Sequence, residues 1–137
     1  MKKQYKRTAF EKDSNSPLAE LFLQVKDFVK VCIGNGVKEK YRENITSYFS
    51  PEGGYCYIKA YDDYIHIGWF RGINIEDKYS QLFGSAKTIR GQKVTKLDKN
   101  TREAIRYYID ETFVFLIEHN ELMKMKKELK KNNSLEM

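Results

Sequence analysis

A chain of 137 residues is long enough for one packed core and too short for two ordinary domains. Its formal charge is +6, but residues 1–13 and 122–137 each carry a net +3 while the body between them holds fifteen basic and fifteen acidic residues, so the charge of the ends suits solubility as readily as nucleic acid. No apolar run approaches the ~20 residues a bilayer requires and none follows the basic start, so a cytoplasmic protein with no membrane partner is expected.

In chain order, residues 1–15 read as a flexible basic arm. Ser16-Pro17 then offers an N-cap followed by proline at the first helical position, where its missing N–H costs nothing. Leu18, Leu21, Phe22, Val25, Val29 and Cys32 recur at three- and four-residue spacing, which predicts a helix that stops at Gly34-Asn35-Gly36. Residues 37–43 read as a second short helical turn. Cys32 and Cys56 both lie in apolar runs without metal-ligand spacing and read as buried thiols.

From Ile45 to Leu97 the pattern becomes short and β-rich. With Asp62-Asp63 as a two-residue hairpin loop, Tyr61 pairs with Tyr64, Lys59 with His66, Ile58 with Ile67 and Cys56 with Trp69. One face then carries Cys56, Ile58, Ala60, Ile65, Ile67 and Trp69 and should meet the helices. The other carries Tyr55, Tyr57, Lys59, Tyr61, Tyr64, His66 and Phe70. Regularity breaks over 73–86, a strand returns over 91–97, and Asn100 with Glu103 resembles a capping box. The closing helix presents Ile105, Tyr108, Ile109, Thr112, Phe113 and Leu116 on one face. Residues 16–121 form the domain, and 122–137 a lysine-rich helical extension or tail. The expected class is α+β, a two-layer sandwich of an N-terminal helix, an antiparallel sheet of about five strands and a C-terminal helix.

Gly68-Trp69-Phe70-Arg71-Gly72, then Leu82-Phe83-Gly84-Ser85-Ala86-Lys87, then Arg90 and Lys93 resemble the aromatic-Arg-Gly turn, the Leu-x-Gly-x-x-Lys loop and the trailing Arg and Lys of the YdhG-like domain family. The resemblance implies a frataxin-like sandwich, and most members of that family have no established activity. One branch is regarded as an iron chaperone that holds iron weakly on acidic side chains, so iron is the one cofactor the resemblance brings in. Carboxylates suit that ion. The candidates here, Glu20 and Asp27, share a helix face but are interleaved with Lys26 and Lys30.

Two readings apply to each remaining cluster. Tyr55, Tyr57, Tyr64, His66 and Phe70 fit either a half-exposed pleated surface or a binding face. Lys87, Arg90 and Lys93 either protect an edge strand or gather an anion or partner beside a Gly84 turn of positive φ. Arg71 either staples the loop after Gly72 or contacts a ligand. The acid pairs Asp62-Asp63, Glu76-Asp77 and Asp110-Glu111 are explained by turns and helix solvation.

No nucleophile, base or cofactor loop can be named, so the expectation is a non-enzymatic binding protein that meets an unidentified protein partner or handles iron. The alternative is a nucleic-acid-binding accessory protein using the basic ends and the cations of 87–102.

Overall fold

The computed structural model describes residues 8–135 and has an α+β architecture: two N-terminal helices, a six-stranded antiparallel sheet and a long C-terminal helix. The elements are α1 (Ala9–Ser14), α2 (Ala19–Ile33), β1 (Lys38–Tyr41), β2 (Thr46–Ser50), β3 (Gly53–Ala60), β4 (Ile65–Trp69), β5 (Leu82–Phe83), β6 (Arg90–Val94) and α3 (Lys99–Leu135). The sheet order is β1-β2-β3-β4-β6-β5. All three helices pack on one side of it, against β2, β3 and β4. Among the described residues, no helix is long and apolar enough to cross a membrane.

Part of the expected flexible arm is a built element. Thr8 accepts the Glu11 N–H at 3.3 Å as N-cap, Ala9 N donates to Arg42 O at 2.8 Å, and the Phe10 ring packs edge-on against Phe22 and Tyr41. Apolar anchoring at Ala9 and Phe10 outweighs the charge around them; residues 1–7 of that arm lie outside the described residues. Ser16 does not cap α2. Its hydroxyl donates to Asp13 O at 2.7 Å, closing α1, and α2 begins at Ala19.

The turn suggested over 37–43 is instead strand β1, an edge strand paired with β2. Its alternation is of charge and not of hydrophobicity. Glu39 turns inward, where Tyr48 donates to Oε2 at 2.8 Å and Lys26 and Lys30 of α2 lie at 3.8 and 3.7 Å, while Lys38 and Lys40 turn out.

The β3–β4 pairing has the expected register, including Cys56 opposite Trp69 and Lys59 opposite His66, with Tyr61 N donating to Tyr64 O at 2.9 Å across the Asp62-Asp63 loop. Cys56, Ile58, Ile65, Ile67 and Trp69 are fully buried on the helix side with Phe22, Val25, Val29, Ile105 and Tyr108. Trp69 donates its indole N–H to Gln92 Oε1 at 3.0 Å, and Gln92 Nε2 donates to Gln81 Oε1 at 2.8 Å, so this buried polar chain is satisfied.

Asp98, not Asn100, caps α3, accepting the Thr101 N–H at 2.9 Å; that bond holds its carboxyl below the usual carboxylate range. Ile105, Tyr108, Ile109, Thr112 and Leu116 are buried as expected, whereas Phe113 falls on the exposed flank. Asn120 Nδ2 donates to Glu52 O at 2.9 Å where α3 passes the end of the sheet. Beyond it the helix continues with Leu122, Met123, Met125 and Leu129 all exposed.

Candidate functional site

Among the described residues, no helix or strand lies over the sheet face opposite the helices. Because strand side chains alternate, the register assigns its residues row by row. The central row crosses all six strands as Lys40, Ser47, Tyr57, Gly68, Gly91 and Phe83. Lys59, His66 and Lys93 form the row on one side of it. Lys38, Phe49 and Gly54 lie on the other, continued by Phe70.

The two central glycines let the rings lie down. A Cβ at Gly68 would fall 2.1 Å from Tyr57 Cε1, and one at Gly91 would fall 2.6 Å from both His66 Cε1 and Phe83 Cζ. The rings therefore lie across the bare backbone of β4 and β6, an arrangement that compensates the missing side chains. Neighbouring centroids are 6.0 Å apart for Tyr57–Phe70, 6.1 Å for Phe49–Phe70, 5.5 Å for Tyr57–His66, 5.7 Å for His66–Phe83 and 5.1 Å for Tyr61–Tyr64. These contacts make one continuous aromatic platform.

Lysines are set among the rings. Lys40 Nζ lies 4.2 Å from the Phe49 centroid, Lys93 Nζ 4.9 Å from Tyr64 and 5.6 Å from Phe83, and Lys59 Nζ 5.6 Å from Tyr61. None of the strand residues on this face is acidic; Glu43, Asp62 and Asp63 sit in the β1–β2 and β3–β4 loops at one end. Burial and the flanking Lys59 and Lys93 hold the His66 imidazole below its ordinary pKa, and burial pushes the Tyr57 phenol up. A neutral His66 ring can accept the Tyr57 hydroxyl at Nε2, 3.1 Å away. The neutral charge of the whole body thus conceals a sorted distribution, with four lysines, Lys38, Lys40, Lys59 and Lys93, directed to one face.

Tyr57, Tyr64, His66 and Phe70 join this face as the sequence suggests, but Tyr55 does not. The β2–β3 register shifts between Tyr48 and Phe49, which places Tyr55 in a bulge and turns it into the core, where its hydroxyl lies 3.3 Å from Ser50 Oγ. Lys38, Lys40, Phe49 and Phe83 are members that sequence reasoning missed. The available signal was the charge alternation of 38–41, once read as a strand.

The expected anion group is divided between Arg90 and Lys93. Gly84 has φ +117°, as a glycine turn should, but Arg90 Nη1 donates to the carbonyls of Ala86 and Ile89 and thereby staples the Gly84 loop, while Lys87 is exposed. Arg90 and Lys93 point to opposite sides of β6, since Arg90 pairs with Trp69 and Lys93 with His66. Arg71 leaves the sheet and sets its guanidinium carbon over the Phe115 ring of α3, 5.2 Å from its centroid. Glu20 and Asp27 are exposed on α2, and Asp27 Oδ1 lies 3.3 Å from Lys26 Nζ. Among the described residues no three His, Cys, Asp or Glu side chains gather as a metal-binding group. Cys56 is fully buried and Cys32 partly so, and both are free thiols.

Comparison of the chain with protein-family models, with curated proteins and with solved structures gives no match.

Proposed function

We propose that the protein binds single-stranded nucleic acid on the open sheet face, without catalysis. The observation that carries this reading is the pairing of a continuous aromatic platform with Lys38, Lys40, Lys59 and Lys93 on strands that present no acid there. Every base has a π-face, so rings laid across a sheet can stack unpaired bases of any sequence. Lysines between the rings neutralise the phosphates that follow each base and release their counterions. A duplex hides its base faces and cannot use the rings in this way.

This revises which cations do the work. The recurrence over 87–102 contributes Lys93 alone to the face, because Arg90 is turned to the helix side and Lys96 lies 3.6 Å from Asp98. The iron role implied by the YdhG-like resemblance has thinner support, since Glu20 and Asp27 are solvent-facing and Asp27 already has a lysine beside it.

The test compares a labelled oligothymidylate with a duplex of matched length by fluorescence anisotropy. The single strand should bind more tightly, and Tyr57→Ala and Phe83→Ala should each weaken it by about tenfold or more, given ~1–3 kcal/mol per stacked base. Equal binding of duplex and single strand, or insensitivity to both substitutions, contradicts the stacking role. A face that takes only an acidic protein segment would bind neither.

A further inference from the structure

At the end of the sheet where Phe70 leaves the platform, a cleft of about 450 Å³ opens between the β2–β3 turn, the loop before β6 and α3. Arg71, Thr88, His119 and Asn120 converge on it, and Phe70 forms part of its wall, so the aromatic face runs directly into it. The Arg71 guanidinium carbon lies over the Phe115 ring, 5.2 Å from its centroid, and among the described residues no carboxylate pairs with it. Attraction to a ring face restrains a guanidinium without using its N–H groups, which stay able to make bidentate bonds to an oxyanion. His119 is stacked on the same Phe115 at 5.5 Å with an interplanar angle of 16°, which brings a second nitrogen donor to the same wall.

We propose that this cleft receives the terminal phosphate monoester of the strand whose bases lie on the sheet face. The inference rests on the single-strand reading above. An internal phosphate diester carries one negative charge, whereas a terminal monoester carries close to two and offers three free oxygens, the valence that a restrained guanidinium with flanking Thr, His and Asn donors matches best. One acid borders the cleft: Glu52, whose Oε2 accepts from Ser50 Oγ at 2.7 Å within the β2–β3 turn. Its charge opposes an anion, which gives the proposal a second sign to test.

The experiment measures the affinity of the whole protein for an oligothymidylate of roughly ten nucleotides, prepared with a 5′-phosphate, with a 3′-phosphate, or with hydroxyls at both ends. One of the two phosphorylated strands should bind about tenfold more tightly than the hydroxyl strand, and its identity gives the polarity of the bound chain. Arg71→Gln should abolish that preference while leaving the hydroxyl strand's affinity unchanged, and Glu52→Gln should enlarge the preference. Equal affinity for all three strands overturns the cleft's role and leaves the sheet-face reading standing, as does a preference that survives Arg71→Gln. Failure of all three to bind overturns both.

Discussion

Tyr57 lies across Gly68 on the neighbouring strand so closely that a single added carbon at residue 68 would sit 2.1 Å from the ring. The ring can move toward solvent and the backbone cannot, so Gly68→Ala should keep the fold at a cost of about 1–3 kcal/mol and lift Tyr57 off the platform. Oligonucleotide affinity should fall about as far as in Tyr57→Ala. The double variant should be no weaker than either single one, since both act through the same ring. Additive losses in that cycle would show that Gly68 serves the face by some other route.

The helix side of the same strand should respond in the opposite way. Trp69 is wholly buried and donates to Gln92 Oε1, so Trp69→Ala should cost ~3–5 kcal/mol through the cavity it leaves. Gln92→Leu, which keeps most of the volume but strands the indole N–H, should cost about 1–3 kcal/mol. Urea unfolding measures both. A loss below about 1 kcal/mol for Trp69→Ala would show that the core does not depend on this side chain.

The β3–β4 pairing was legible because Asp62-Asp63 fixes the loop and the apolar residues alternate on either side of it. Tyr55 was misplaced because a bulge is produced by a two-against-one mismatch with the partner strand, and nothing within residues 53–60 alone announces it. Strand β1 was hidden for a different reason. Its inward position is Glu39, held by Tyr48, Lys26 and Lys30, so the hydrophobic periodicity that normally reveals a strand is absent. Lys38, Lys40, Phe49 and Phe83 join the platform from β1, β2 and β5, and so the sorting of lysines onto one face could not be read from net charge.

His66 supplies a pH test. Burial, then Lys59 and Lys93, lower its pKa in the folded protein from the ordinary 6.5, so the unfolded chain takes up a proton at higher pH than the folded one. The stabilising contribution of the neutral ring is therefore complete above 6.5 and is lost as pH falls through the folded value. The difference in stability between wild type and His66→Gln should shrink over that window. Lys59→Gln should move the imidazole titration, followed by NMR, back toward 6.5, and bound oligonucleotide should move it the same way. A native titration at or above 6.5 without ligand would contradict the electrostatics assigned to the face.

The end of α3 should be separable from the fold. Asn120 is tied to the β2–β3 turn through its side-chain hydrogen bond to Glu52 O, and residues 121–133 after it are exposed. Ending the chain after Glu121 should change unfolding stability by no more than about 0.5 kcal/mol. A substantially larger loss would mean that the protruding segment contributes to packing of the body.

The most direct test of the sheet-face reading is the salt dependence of single-strand binding, measured for the wild type and for Lys40→Gln/Lys59→Gln/Lys93→Gln. Each phosphate contact on a single strand contributes about −0.7 to the slope of log affinity against log salt. If the three lysines hold phosphates between the rings, the triple variant should have a slope shallower by about 2 and a much lower affinity at low salt, with its fold intact. An unchanged slope would place the electrostatic contacts elsewhere on the molecule and contradict the assignment of this face as the binding surface.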